Sequence, residues 1–180
     1  MYPFLRLGWN LRAGLKDTPL GLTDTHLSRH RVMPWDLDMF GELNNGLTLT
    51  VYDLGRFGLA ARGGLIKVLR DKRWGLTMAG ASIRYRRRLT LLERIEMKSR
   101  VTCWDDRFIY LEQAMFKANG DCASHILYRS AVVEKGRVVP PDQVLAAMGQ
   151  EATSPTPPNW IAAWIKAEAL RPWPPMSEAA

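Results

Sequence analysis

The sequence predicts an α+β domain, an antiparallel sheet wrapped around one long helix. Leu47, Val51, Leu54, Gly58, Ala61 and Leu65 alternate spacings of four and three, which places them on one helical face. From Trp74 onward the period drops to two, as in Ala81, Ile83 and Tyr85 against Ser82, Arg84 and Arg86. Asp105-Asp106, Asn119-Gly120 and Lys135-Gly136 then punctuate the chain as turns, and Asn-Gly suits a tight hairpin because both residues tolerate positive φ. A single long helix followed by consecutive hairpins buries its apolar face most readily against that sheet.

The whole chain bounds the function before any motif does. Its 180 residues, 47% hydrophobic and 24% charged, suit one soluble domain with a sizeable core. No apolar run is long enough to span a bilayer, and Arg6 and Arg12 interrupt the N-terminal apolar residues as no secretory leader would. Cys103 and Cys122 form no CxxC pair and have no His at metal spacing, so they read as reduced core thiols of a cytoplasmic protein. The three histidines are scattered, and no metal site, GxSxG elbow or glycine-rich phosphate loop is present. The net charge of +7 favours phosphate-bearing partners. No zinc finger, RNP motif or helix-turn-helix supports nucleic acid among them.

Residues 1–24 form a basic amphipathic segment. Phe4, Leu5, Leu7, Trp9, Leu11 and Leu15 alternate with Arg6, Arg12 and Lys16. That mixture suits docking on the domain or on a partner subunit, and it also leaves contact with a membrane surface open. Residues 25–149 carry the main domain. A first strand covers His26 to Met33 and stops at Pro34. The helix begins at Asn44 and stops at Gly63-Gly64, with a short turn over Leu65 to Leu69. Gly58 and Ala61 allow another element to approach that helix closely. Strands follow over Trp74 to Tyr85, Arg94 to Cys103, Phe108 to Lys117 and Cys122 to Glu134. In the second of these, Ile95, Met97, Val101 and Cys103 share one face. Asp142 then caps a short helix ending at Met148. Residues 150–180 form a Pro-rich linker and a terminal helix with the stripe Trp160, Ile161, Trp164 and Ile165, ended by Pro172, Pro174 and Pro175.

The chemistry concentrates in Trp35-Asp36-Leu37-Asp38-Met39-Phe40-Gly41-Glu42-Leu43-Asn44-Asn45-Gly46. This stretch sets a carboxylate, Asp38, just before a helix start, where unpaired N–H groups and the positive end of the macrodipole collect. Such a pairing suits acyl transfer, with a base or nucleophile beside oxyanion donors. Asp36 points to the opposite side of an extended segment and reads as structural.

The pattern Asp-x-Asp-x-x-x-x-x-Asn-Asn-Gly before a helix resembles the active-site segment of hot-dog-fold acyl-CoA thioesterases, the 4-hydroxybenzoyl-CoA thioesterase-like group. The Arg-Tyr-Arg-Arg strand, the Trp104-Asp105 hairpin and the Val-Val-Pro-Pro ending extend the resemblance from Arg31 to Gly149. It implies a hot-dog fold, acyl-CoA as substrate, no metal or redox cofactor, and a homodimer or homotetramer with the substrate at the subunit interface. It also implies Asp38 as base or nucleophile. Glu42 stands where the look-alikes often carry His and is a second candidate acid or base. Backbone N–H groups around Asn45 and Gly46 would polarise the thioester carbonyl, with Asn44 at the helix start, and Arg84 and Arg86 would bind coenzyme A phosphates. Tyr52 and Asp53 lie off the main helical stripe, and the sequence leaves open whether they approach an acyl pocket. The competing readings are a hot-dog protein that binds a thioester or partner without turnover, and a basic peripheral membrane protein.

Overall fold

The computed structural model describes residues 3–150, 153–172 and 174–176. The elements are α1 (Phe4–Lys16), β1 (His26–Arg31), α2 (Asn45–Arg62), α3 (Leu65–Lys72), β2 (Gly75–Tyr85), β3 (Arg94–Trp104), β4 (Ile109–Lys117), β5 (Cys122–Glu134), β6 (Arg137–Val139), α4 (Pro141–Ala147) and α5 (Asn159–Ala169). The strands form one antiparallel sheet in the order β1-β3-β4-β5-β2, with β6 paired to β5. This curled sheet around a long helix is the hot-dog fold.

The helix α2 is buried on two sides rather than along one stripe. Val51, Tyr52 and Leu59 pack in the main core with Ile95, Met97, Met115 and Ile126 of the sheet. Gly14 of α1 sits against the backbone of Gly58 and the methyl of Ala61 on the other side. A Cβ on Gly58 would lie 2.5 Å from His26 Nε2, so β1 also requires glycine there. The small residues thus admit a second helix and a strand, as the spacing predicts. Leu65 falls beyond the stripe, because Gly64 takes the left-handed conformation at φ +84° and starts α3. That second helix runs to Lys72, three residues beyond the end that the sequence suggests.

Two local expectations are corrected. The register shifts between Val101 and Cys103, and this bulge turns Cys103 away from the face of Ile95 and Met97. Cys103 packs instead with Tyr110, Leu127 and Ile161 on the outer face, under α5. Asp142 is not the cap of α4: the helix starts at Pro141, and Pro140 is the capping residue without a side-chain bond. Proline suits that first helical position, because the N–H it lacks would go unpaired there.

The helices α1 and α5 both pack on this domain. Arg6 of α1 donates to Asp36 at 2.8 and 3.1 Å. Ile161 of α5 is fully buried, Trp164 meets Tyr110 edge-on at 6.3 Å, and Trp160 meets His125 at 5.3 Å. The terminal helix therefore covers the outer sheet face. Among the described residues, no helix is long and apolar enough to cross a membrane.

Candidate active site at the start of the central helix

Residues Asp36 to Asn44 fold into a small hairpin. Leu37 bridges Leu43, the Asp38 N–H donates to Glu42 O at 2.8 Å, and the Asn44 N–H donates to Asp36 O at 2.9 Å. Gly41, at φ +75°, allows the tight reversal. Asp38 sits at the tip of this hairpin. Its Oδ1 accepts from the N–H groups of Phe40 at 2.9 Å and Glu42 at 3.3 Å. Its Oδ2 accepts no hydrogen bond among the described residues, so one carboxylate oxygen is anchored and the other is available. Asp36 is the structural member of the pair: it is buried and accepts from Arg6 and from the Met33 N–H at 2.9 Å.

The start of α2 is built by Asn44. Its Oδ1 accepts from the N–H groups of Gly46 at 2.8 Å and Leu47 at 3.2 Å, while its backbone O takes the Thr48 N–H at 2.8 Å. Of the four first-turn donors, the Asn45 N–H alone has no bond among the described residues. Gly46, paired through Asn44, contributes open space: an added Cβ would meet only Asn44 Oδ1, at 3.2 Å.

A cleft of about 200 Å³ opens beside this helix start. Glu42, Asn45, Tyr85, Arg86, Arg88 and Ser124 form part of its wall. The Tyr85 hydroxyl donates to Asn45 O at 3.2 Å, which ties the end of β2 to the start of α2. Ser124 and the buried Tyr52 share a 2.8 Å hydroxyl contact at the floor. Burial raises the Tyr52 phenol well above its ordinary value, so it is a protonated structural group. Glu42 Oε1 is paired with Arg88 Nη1 at 2.9 Å. That ion pair links the hairpin to the arginine segment and leaves Glu42 less available than Asp38.

The predicted site residues are only partly brought together. Glu42, Asn45 and Arg86 line the cleft, Asp38 lies at the hairpin tip beside Glu42, and Asn44 acts as cap. Arg84 lies elsewhere: it alternates with Tyr85 along β2 and pairs in register with His125 on the outer face. Asp53 pairs with Arg56 one turn on, and the Arg56 guanidinium lies 4.3 Å over the Tyr128 ring. Tyr85 and Ser124 enter the wall through strand pairing and Thr48 through the first turn of α2, so sequence periodicity does not mark them as site residues. Burial raises the thiol pKa of both Cys103 and Cys122, which makes neither a ready nucleophile. No group of metal-binding side chains occurs among the described residues.

Residues 32–165 match the model of the thioesterase-like superfamily. That span covers most of the chain, so the chain belongs to this superfamily. Among curated proteins it is 34% identical to Protein THEM6 of Xenopus laevis, over 77% of this chain and 65% of that protein. The chain thus spans somewhat less than two thirds of that relative's length. Among solved structures it is similar to YbaW of Escherichia coli, a probable thioesterase, with TM-score 0.62, 15% identity, and coverage of 68% of this chain and 98% of that one. It is also similar to SAV2348 of Staphylococcus aureus, solved in complex with CoA, with TM-score 0.61, 12% identity, and coverage of 80% and 96%. These structural likenesses establish the fold.

Proposed function

We propose that the protein is an acyl-CoA thioesterase whose reaction takes place at the start of α2. The observation that carries this reading is that, among the described residues, one Asp38 carboxylate oxygen and the helix-start N–H of Asn45 have no hydrogen-bond partner and lie on adjoining segments. Asp38 Oδ2 takes a proton from water, and the water oxygen attacks the thioester carbonyl carbon. The Asn45 N–H, helped by the helix macrodipole, holds the oxyanion that forms. Collapse breaks the carbon–sulfur bond, and the leaving thiolate takes up the proton to give free thiol and carboxylic acid. Direct attack by Asp38 through a mixed anhydride uses the same groups, with water cleaving the anhydride in a second step.

Arg86 in the cleft wall and Arg87 beside it suit the phosphates of the coenzyme. Further along α2, a small apolar cavity of about 80 Å³ lined by Leu59, Leu76, Met78 and Leu111 has room for a short acyl end only. A homodimer or homotetramer completes the site in this reading. The free edge of β2 and the exposed hairpin tip support it, with Met39 90% and Phe40 77% exposed. Cytoplasmic placement belongs to the same reading, and the two unpaired thiols are compatible with it.

The alternative, a protein that holds a thioester without cleaving it, draws on Glu42. A carboxylate engaged with Arg88 replaces the histidine of the look-alikes and is a poor proton donor. Thiol release from a panel of acyl-CoAs tests the choice. Turnover of at least one acyl class is expected. Saturable binding of acyl-CoA with no thiol released from any member would overturn hydrolysis in favour of the binding protein.

A further inference from the structure

The helix α1 carries apolar residues on its outward side as well as on the side that meets the domain. Its inward side presents Arg6, Leu7, Asn10, Leu11 and Gly14 to the domain, whereas its outward side presents Phe4, Leu5, 92% exposed, Trp9, 78% exposed, and Leu15. Arg12 and Lys16 share that outward side, and the helix contains no acidic residue. An apolar stripe flanked by bases on an exposed helix face is costly in water and calls for a cover.

The neighbouring surface indicates which cover. Leu5 and Trp9 also rim an open cleft of about 1070 Å³ beside β1 and β3, whose wall includes Arg29, Arg31, Arg94 and Lys98. Glu96 is the acidic side chain in that wall, and it lies 3.9 Å from Arg29. A second copy of this face would set like charges against each other across a symmetric contact. The charge and the apolar stripe are instead complementary to an anionic bilayer, which accepts Leu and Trp at the headgroup boundary and bases at the phosphates.

We propose that the outward face of α1, with the basic cleft beside it, docks the folded protein on an anionic lipid surface. Arg6 fixes the orientation, because its bonds to Asp36 join α1 to the hairpin that carries Asp38. Docking therefore holds the cleft at the start of α2 close to the bilayer. The proposal concerns location and is independent of whether the site turns over acyl-CoA.

Flotation of the full chain with vesicles tests it. The protein should float with phosphatidylcholine–phosphatidylglycerol vesicles and stay behind with phosphatidylcholine alone. Binding should weaken about tenfold or more in Leu5→Asn/Trp9→Asn and in Arg12→Glu/Lys16→Glu, and also at about 0.5 M salt. Melting temperatures of both variants should match wild type, since neither pair supports the domain interior. Failure of wild type to float, or equal flotation of all variants, would overturn the proposal. So would loss of a larger oligomer on Leu5→Asn/Trp9→Asn while wild type stays off vesicles, which would make a second copy the cover. Displacement from vesicles by free coenzyme A would instead assign the cleft to a soluble anion.

Discussion

Asp36→Ala separates a structural carboxylate from the one proposed to react, two residues away. The substitution removes the acceptor of the Met33 N–H at 2.9 Å and of two Arg6 bonds at 2.8 and 3.1 Å. The orphaned N–H costs about 1–3 kcal/mol. Arg6 keeps some contact with water, so its lost pairing adds about 1 kcal/mol rather than the larger figure for a wholly buried pair. The sum is about 2–4 kcal/mol, which for a chain of this size lowers the melting temperature by roughly 5–15 °C. Urea titration or thermal melting by circular dichroism measures it. In a double-mutant cycle with Arg6→Ala, the coupling should be about 1–2 kcal/mol. Strict additivity, or an Asp36→Ala effect within about 0.5 kcal/mol of wild type, would refute the pairing as the tether of α1. Turnover per folded molecule should survive the change.

Other outcomes follow from the same contacts. Burial, then the charges of Arg6 and His26, pulls His30 down to about 4, so the folded state keeps it neutral where the unfolded chain is protonated. Stability should accordingly fall by up to about 3 kcal/mol as pH drops from the ordinary histidine value through about 4, and His30→Gln should flatten that slope in pH-dependent urea titrations. Asn44→Ala removes the cap on the Gly46 and Leu47 N–H groups and should cost about 1 kcal/mol of stability by denaturant titration. Because Arg86 lines the cleft and Arg84 faces outward, Arg86→Gln should weaken acyl-CoA binding and its salt dependence, while Arg84→Gln changes both little; calorimetry at two salt concentrations distinguishes them.

Much of this architecture is legible in the sequence because it is periodic. The stripe of α2, the alternation in β2 and β3, and the turn at Asn119-Gly120 are local signals, and each element falls close to its expected span. The helix start with Asn44 as cap is equally local. What escapes notice depends on distant partners. The Arg6–Asp36 tie spans 30 residues and the Tyr52–Ser124 contact spans 72, and neither leaves a periodic trace. The bulge after Val101 turns Cys103 over through a local change of register that alternation alone does not announce. Two-sided burial of α2 arises from α1, whose own residues suggest only that it needs a surface to dock on. The site shows the same limit: Asp38, Glu42, Asn44 and Asn45 lie in one local stretch, whereas strand pairing brings Tyr85 and Ser124 to the cleft wall.

Hydrolysis at the start of α2 is tested most directly by thiol release from acyl-CoA by Asp38→Asn beside wild type and Glu42→Gln. Asn retains an oxygen to accept from the Phe40 and Glu42 N–H groups, so the hairpin and the melting temperature should persist while the basicity is lost. Turnover should fall by about a hundredfold or more in Asp38→Asn, acyl-CoA affinity should change little, and Glu42→Gln should lose less. A nearly silent Asp38→Asn with a large loss in Glu42→Gln would contradict the assignment and move the chemistry to Glu42.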